Sequence, residues 1–131
     1  MIFVDSSAWF AVFSRRDLNH SAAMLAIRSF REQLVTSDYV VDETATLLRA
    51  RGESRRAIAF GSRVIEGQWA QIERINENDF VAAWAVFKEF EDKDWSFTDC
   101  ASLVVMKRLG IQRAFAFDDH FRQFGTVIVL P

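Results

Sequence analysis

Four carboxylates stand where their neighbours favour apolar side chains. Asp5 closes the apolar run Ile2, Phe3, Val4, and Asp118 closes a second run in AFAFDDHF. Two more lie on helical stretches. In DYVVDETATLL, at 100° per residue, Val40, Val41, Thr44, Leu47 and Leu48 form one stripe. Glu43 lies at the edge of that stripe, and Asp42 lies nearly opposite it. In SFTDCASLVVMKRL, Asp99 shares a face with Leu103 and Met106. A charge on such ground is costly without a partner. Each acid has an ordinary alternative: Asp5 as a helix cap, Glu43 paired with an Arg, Ser96–Asp99 as a capping box, Asp118 as a turn former. Gathered together, the four would repel, since two unit charges 4 Å apart cost about 4 kcal/mol at an effective dielectric near 20. Such a group takes up protons or cations. Hard oxygen donors without His or Cys suit Mg²⁺ or Mn²⁺. Those ions activate water and steady a leaving oxygen in phosphodiester hydrolysis.

The surrounding elements must bring these acids to one place. Ile2 to Val4 reads as a buried strand, with Ser6 or Ser7 as N-cap of a helix over 7–14. A second helix covers 20–31, and a short strand covers 34–36. Ser37 caps a helix over 38–50, stopped by Gly52. Ser54 caps another that ends near Gly67. A third strand covers 69–75. Asn76 or Asn78 opens a helix to about Phe90, and Ser96 opens one to Leu109, stopped by Gly110. Strands over 113–117 and 126–130 flank a one-turn helix. Strands alternating with helices predict an α/β fold, a single-domain α/β/α sandwich over 1–131 around a mainly parallel sheet. Asp5 and Asp118 would then emerge on the same sheet edge, where such folds place their functional crevice.

Composition narrows the classes. With 131 residues, half of them hydrophobic and 13 of them Phe, the chain can bury a real core. Its single Cys excludes an internal disulfide framework. No apolar run approaches the roughly 18 residues of a membrane span, and Arg15 and Arg16 follow the N-terminal apolar run instead of preceding it, unlike a signal peptide. These features predict a cytoplasmic protein. The net charge of −2 argues against nucleic acid in bulk. Its distribution argues otherwise: Arg49, Arg51, Arg55, Arg56 and Arg63 cluster, and Arg suits phosphate. Arg49, Arg51, Arg55 and Arg56 are the candidates for RNA contact, with a solvated helix face or an acidic partner as the alternative.

VDSSAW, TSDYVVDETATLLRARG, DWSFTDCASLVVMKRLGI and AFAFDDHFRQFG occur in order along the chain. Together they resemble the PIN-domain ribonucleases, and among them the VapC-like toxins of type II toxin–antitoxin modules. The resemblance covers most of the chain. It implies an endoribonuclease dependent on Mg²⁺ or Mn²⁺, with Asp5, Glu43, Asp99 and Asp118 as catalytic and metal-binding residues. It implies Ser6 and Thr98 as supporting hydroxyls. It also implies a cognate antitoxin, a homodimer and a possible higher toxin–antitoxin assembly. Whether Asp118 or Asp119 faces the metal is open, and His120 stands where some members carry a further acid. His120 reads more simply as a packing or capping residue, Cys100 and Trp9 as core. The alternatives are a non-catalytic PIN-like binding module and a phosphohydrolase or receiver-type domain. The last lacks a Lys after Thr126, and a second Asp two residues after Asp5 is replaced by Ser7.

Overall fold

The computed structural model describes residues 1–131. Five strands form one sheet, all parallel, in the order β3-β2-β1-β4-β5. They are β1 (Ile2–Val4), β2 (Leu34–Ser37), β3 (Gln71–Glu73), β4 (Arg113–Phe115) and β5 (Ile128–Leu130). The helices are α1 (Ser6–Phe13), α2 (His20–Ser29), α3 (Asp38–Ala50), α4 (Ser54–Phe60), α5 (Glu77–Glu89), α6 (Phe97–Leu109) and α7 (His120–Gln123). A π-turn over Gly61–Glu66 continues α4.

The central strand, β1, is wholly buried at Ile2, Phe3 and Val4, which is why its sequence shows no polar alternation. From β1 the chain steps to β2 and β3 on one side, then crosses to β4 and β5 on the other. With right-handed crossovers, the connections after β1 and β4 leave on opposite faces. The carboxyl ends of β1 and β4 therefore flank the switch point of the sheet.

One large core joins the sheet to α1, α3, α4 and α7. Within it Phe60 packs edge to face against both Trp9 and Phe13, which are tilted on each other. Trp9 also donates its indole N–H to Thr36 Oγ1 at 3.2 Å, and Thr36 passes a bond to the Val4 carbonyl at 2.9 Å. This chain ties α1 and β2 to the end of β1. A smaller cluster of Ala83, Trp95, Cys100 and Ala101 joins α5 to α6.

Local chemistry sets the helix ends. Ser37 caps α3, and Asn76 and Ser96 open α5 and α6 with full capping boxes. Gly110 ends α6 at φ 69°, a left-handed position that glycine occupies without strain. Several expectations differ; the strands expected over 113–117 and 126–130 shorten to Arg113–Phe115 and Ile128–Leu130. The N-cap of α1 is Asp5, not Ser6 or Ser7. Glu53 stands at the cap position of α4, so Ser54 is its first helical residue. The third strand shrinks from 69–75 to Gln71–Glu73, because β2 offers it only three partners at the sheet edge.

Candidate active site

Asp5 leaves β1 and turns at once into α1. Its Oδ2 accepts from the Ser7 N–H at 3.2 Å and the Ser7 hydroxyl at 2.7 Å. The cap and the site are thus one residue, because capping occupies a single oxygen. Its Oδ1 is buried and has no partner. Burial pushes the Asp5 carboxyl up to about 7 from 3.8. The Ser7 bonds oppose that rise, and the charges of Asp99 and Glu43 reinforce it. Both acids therefore lie close enough to Asp5 to act on it.

Ser7 does more than fix Asp5. Its Oγ accepts from the backbone N–H groups of Phe117 at 3.0 Å and Asp118 at 3.3 Å. One hydroxyl thereby joins the ends of β1 and β4. The sequence named Ser6 and passed over Ser7. Nothing local separates two adjacent serines; their division of labour follows from the direction in which α1 starts. Ser6 is turned to α3, where its hydroxyl donates to Glu43 Oε1. No Arg pairs with Glu43, and Asp42 is exposed on the far side of α3, as its helical position predicts.

Asp99 is 5 % exposed at the start of α6. Its Oδ2 closes the capping box, accepting from Ser96 N–H at 3.0 Å, and lies 2.7 Å from His120 Nδ1. Asp118 Oδ1 accepts the His120 backbone N–H at 3.0 Å and lies 3.3 Å from Nδ1. Asp119 is 85 % exposed and faces Arg122, so Asp118 is the acid turned into this group. Burial alone would lower the His120 pKa. The bond donated to Asp99 and the charges of Asp99, Asp118 and Asp5 outweigh it and raise the pKa above 6.5. His120 is thus more than a packing residue. Its signal in the sequence was its spacing, two residues beyond Asp118.

Each of the four acids has one oxygen engaged by a protein donor. No Lys or Arg forms an ion pair with any of them. No three His, Cys, Asp or Glu side chains close up into a ready-made metal cluster. The arrangement is an open, all-oxygen donor set of net negative charge.

Other expected residues lie outside it. Thr98 uses only its carbonyl, which accepts from the Ser102 hydroxyl at 2.9 Å, and its own hydroxyl bonds to no acid. The arginines sit at the far end of the fold. α1 runs about 12 Å from Asp5 to Phe13, and Arg56 donates to the Phe13 carbonyl at 2.6 Å. Arg51 lies over the Phe10 ring, and its carbonyl accepts from Arg16. Arg49 and Arg55 are exposed, on the last turn of α3 and the first turn of α4. The structure does not bring Arg49, Arg51, Arg55 or Arg56 to the acids. Cys100 is wholly buried, and burial, with Asp99 beside it, pushes its thiol up to about 11; it is core. His20 holds the Ala11 carbonyl at 2.8 Å.

Comparison with known proteins identifies the family. The PIN domain model matches residues 2–127. The 23S rRNA-specific endonuclease VapC20 from Mycobacterium tuberculosis, in strains CDC 1551 / Oshkosh and H37Rv, is 34% identical over 131 residues. The match spans 100% of this chain and 99% of the relative. The crystal structure of M. tuberculosis VapC20, described as a Sarcin-Ricin loop cleaving toxin, superposes with a TM-score of 0.93 at 33% identity, covering both chains completely. A toxin-antitoxin complex from Klebsiella pneumoniae matches with a TM-score of 0.70 at 14% identity, over 100% of this chain and 97% of the other, a likeness of fold.

Proposed function

This chain belongs to the PIN-domain family, and from that premise we propose that it is a VapC-like toxin, an endoribonuclease dependent on a divalent cation, Mg²⁺ or Mn²⁺. The observation that carries the reading is the buried and unpartnered Oδ1 of Asp5, with Glu43 and Asp99 close enough to raise its pKa and Asp118 joined to Asp99 through His120. A buried carboxylate oxygen without a donor is costly unless a cation meets it. The donor set fits a hard cation, because it is all oxygen and each acid keeps one oxygen clear of protein donors.

Asp5, Glu43, Asp99 and Asp118 would hold the ion. When bound, it polarises the phosphate and lowers the pKa of its water. The chain's own part is orientation. Ser7 holds Asp5 against the end of β4, and Ser6 holds Glu43 towards β1. His120 holds Asp99 and Asp118. Ribosomal RNA is the substrate class, in line with the naming of the 34% identical relative.

Two partners complete the proposal. A nuclease of this kind is tolerated by its host only with an inhibitor, here a cognate antitoxin that covers the acids. The second partner is another copy of the chain. Along one side of α5, Phe80, Val81, Trp84 and Phe87 are each 40–62% exposed. Three half-exposed aromatic rings leave roughly 300 Å² of apolar surface, a size that marks interaction sites. No helix is long and apolar enough to cross a membrane.

Mapping of new RNA ends after brief expression tests the function. The proposal predicts discrete new ends in ribosomal RNA with wild-type protein and none with Asp5→Asn. Identical ends from both proteins would refute it.

A further inference from the structure

We infer that His120 is a positioning residue of the acid site, which selects the carboxylate oxygens of Asp99 and Asp118 that face the cation; this rests on the nuclease reading above. His120 opens α7, and its ring is a quarter exposed. Nδ1 lies 2.7 Å from Asp99 Oδ2 and 3.3 Å from Asp118 Oδ1. A carboxylate only accepts, so Nδ1 donates to Asp99 Oδ2, with Asp118 Oδ1 in ion-pair range beside it. That nitrogen is consequently not free to hold a cation itself.

The consequence is geometric. Asp99 Oδ2 is already bonded to the Ser96 N–H, and Asp118 Oδ1 to the His120 N–H. The imidazole adds a donor to Asp99 Oδ2 and a contact to Asp118 Oδ1, and so holds together two acids 19 residues apart in the chain. Asp99 Oδ1 and Asp118 Oδ2 are left to turn towards Asp5 Oδ1. Without the ring, each carboxylate keeps one backbone donor and regains rotation about its last bond. Ligands that lose such an orienting partner typically lose about 10–100-fold in metal affinity or activity.

The test compares wild type with His120→Ala and His120→Asn, since the Asn amide can present a donor near the place of Nδ1. Mn²⁺ binding is read by the paramagnetic signal of free Mn²⁺, cleavage by kcat and KM on a ribosomal RNA fragment, and folding by thermal melting. His120→Ala should bind Mn²⁺ at least about 10-fold more weakly, with kcat reduced, KM unchanged and the melt cooperative. His120→Asn should recover most of the binding. Wild-type Mn²⁺ affinity and kcat in His120→Ala would overturn the inference and leave the nuclease reading standing. A wild type that neither binds Mn²⁺ nor cuts RNA would overturn both. Loss of the cooperative melt in both variants would assign His120 to fold stability and also overturn it.

Discussion

Asp5 carries its charge in a place that water hardly reaches, 2 % exposed and with one oxygen bare. Its folded pKa of about 7 lies above the unfolded 3.8. The sign follows: the folded state binds the proton more tightly, so the cost of ionising Asp5 is absent below pH 4. It grows as pH rises and is complete above about 7. Three units set an upper bound of about 4 kcal/mol. His120, also raised, loses stabilisation in the same direction as pH rises past its folded value. In EDTA, wild type should therefore melt at lower temperature at pH 8 than at pH 5.5. Asp5→Asn should melt higher than wild type at pH 8, with the gain vanishing near pH 4, while losing nuclease activity. This is the usual conflict between a strained site and a stable fold. Ser7→Ala should act differently. It strands the Phe117 and Asp118 N–H groups and frees Asp5, so it should cost about 1–2 kcal/mol in urea unfolding and lower kcat at least about 10-fold.

At the scale of elements, α5 and α6 are stapled by one buried charge. Asp79 is 2 % exposed, closes the α5 capping box and receives Arg108 Nε and Nη2, each at 2.9 Å. Arg108→Ala leaves that carboxylate buried and unpaired. The predicted loss in urea denaturation is about 2–3 kcal/mol, below the value for a fully buried pair because Arg108 is a third exposed. Asp79→Asn, which keeps a capping oxygen, should cost about 1 kcal/mol. Elements like these were legible where their signals are local. Asn76, Ser96 and Gly110 announce the ends of α5 and α6 within four residues of chain. The roles of Ser7 and His120 were not legible, because they arise between segments 110 and 21 residues apart. The arginines stand apart from the acids for a different reason. Clustering in sequence says nothing of which end of the sheet a helix reaches. The clue was available: α3 starts at the acid edge, after β2, so its last turn with Arg49 must lie far from it.

Across the whole molecule, parallel strands and a reversal of strand order bring Asp5 and Asp118 to adjacent strand ends, and α3 and α6 deliver Glu43 and Asp99 beside them. The sheet alternation and the four motifs carried this much in the sequence. The unpartnered face of α5 appeared only with the fold. Trp84→Glu should shift the mass in light scattering from dimer to monomer, with the melt of the fold retained; an unchanged mass would remove α5 from the interface. The central claim, that the four acids form a cation site that cuts RNA, is tested most directly by one rate. That measurement is cleavage of an end-labelled ribosomal RNA fragment by antitoxin-free protein as Mn²⁺ is titrated, for wild type and for Asp5→Asn, Glu43→Gln, Asp99→Asn and Asp118→Asn. The prediction is saturable cleavage by wild type that EDTA abolishes, and a loss of at least about 100-fold in each variant, the scale of removing a group essential to charge stabilisation. Cleavage that persists in EDTA, or survives undiminished in Asp5→Asn, would contradict it.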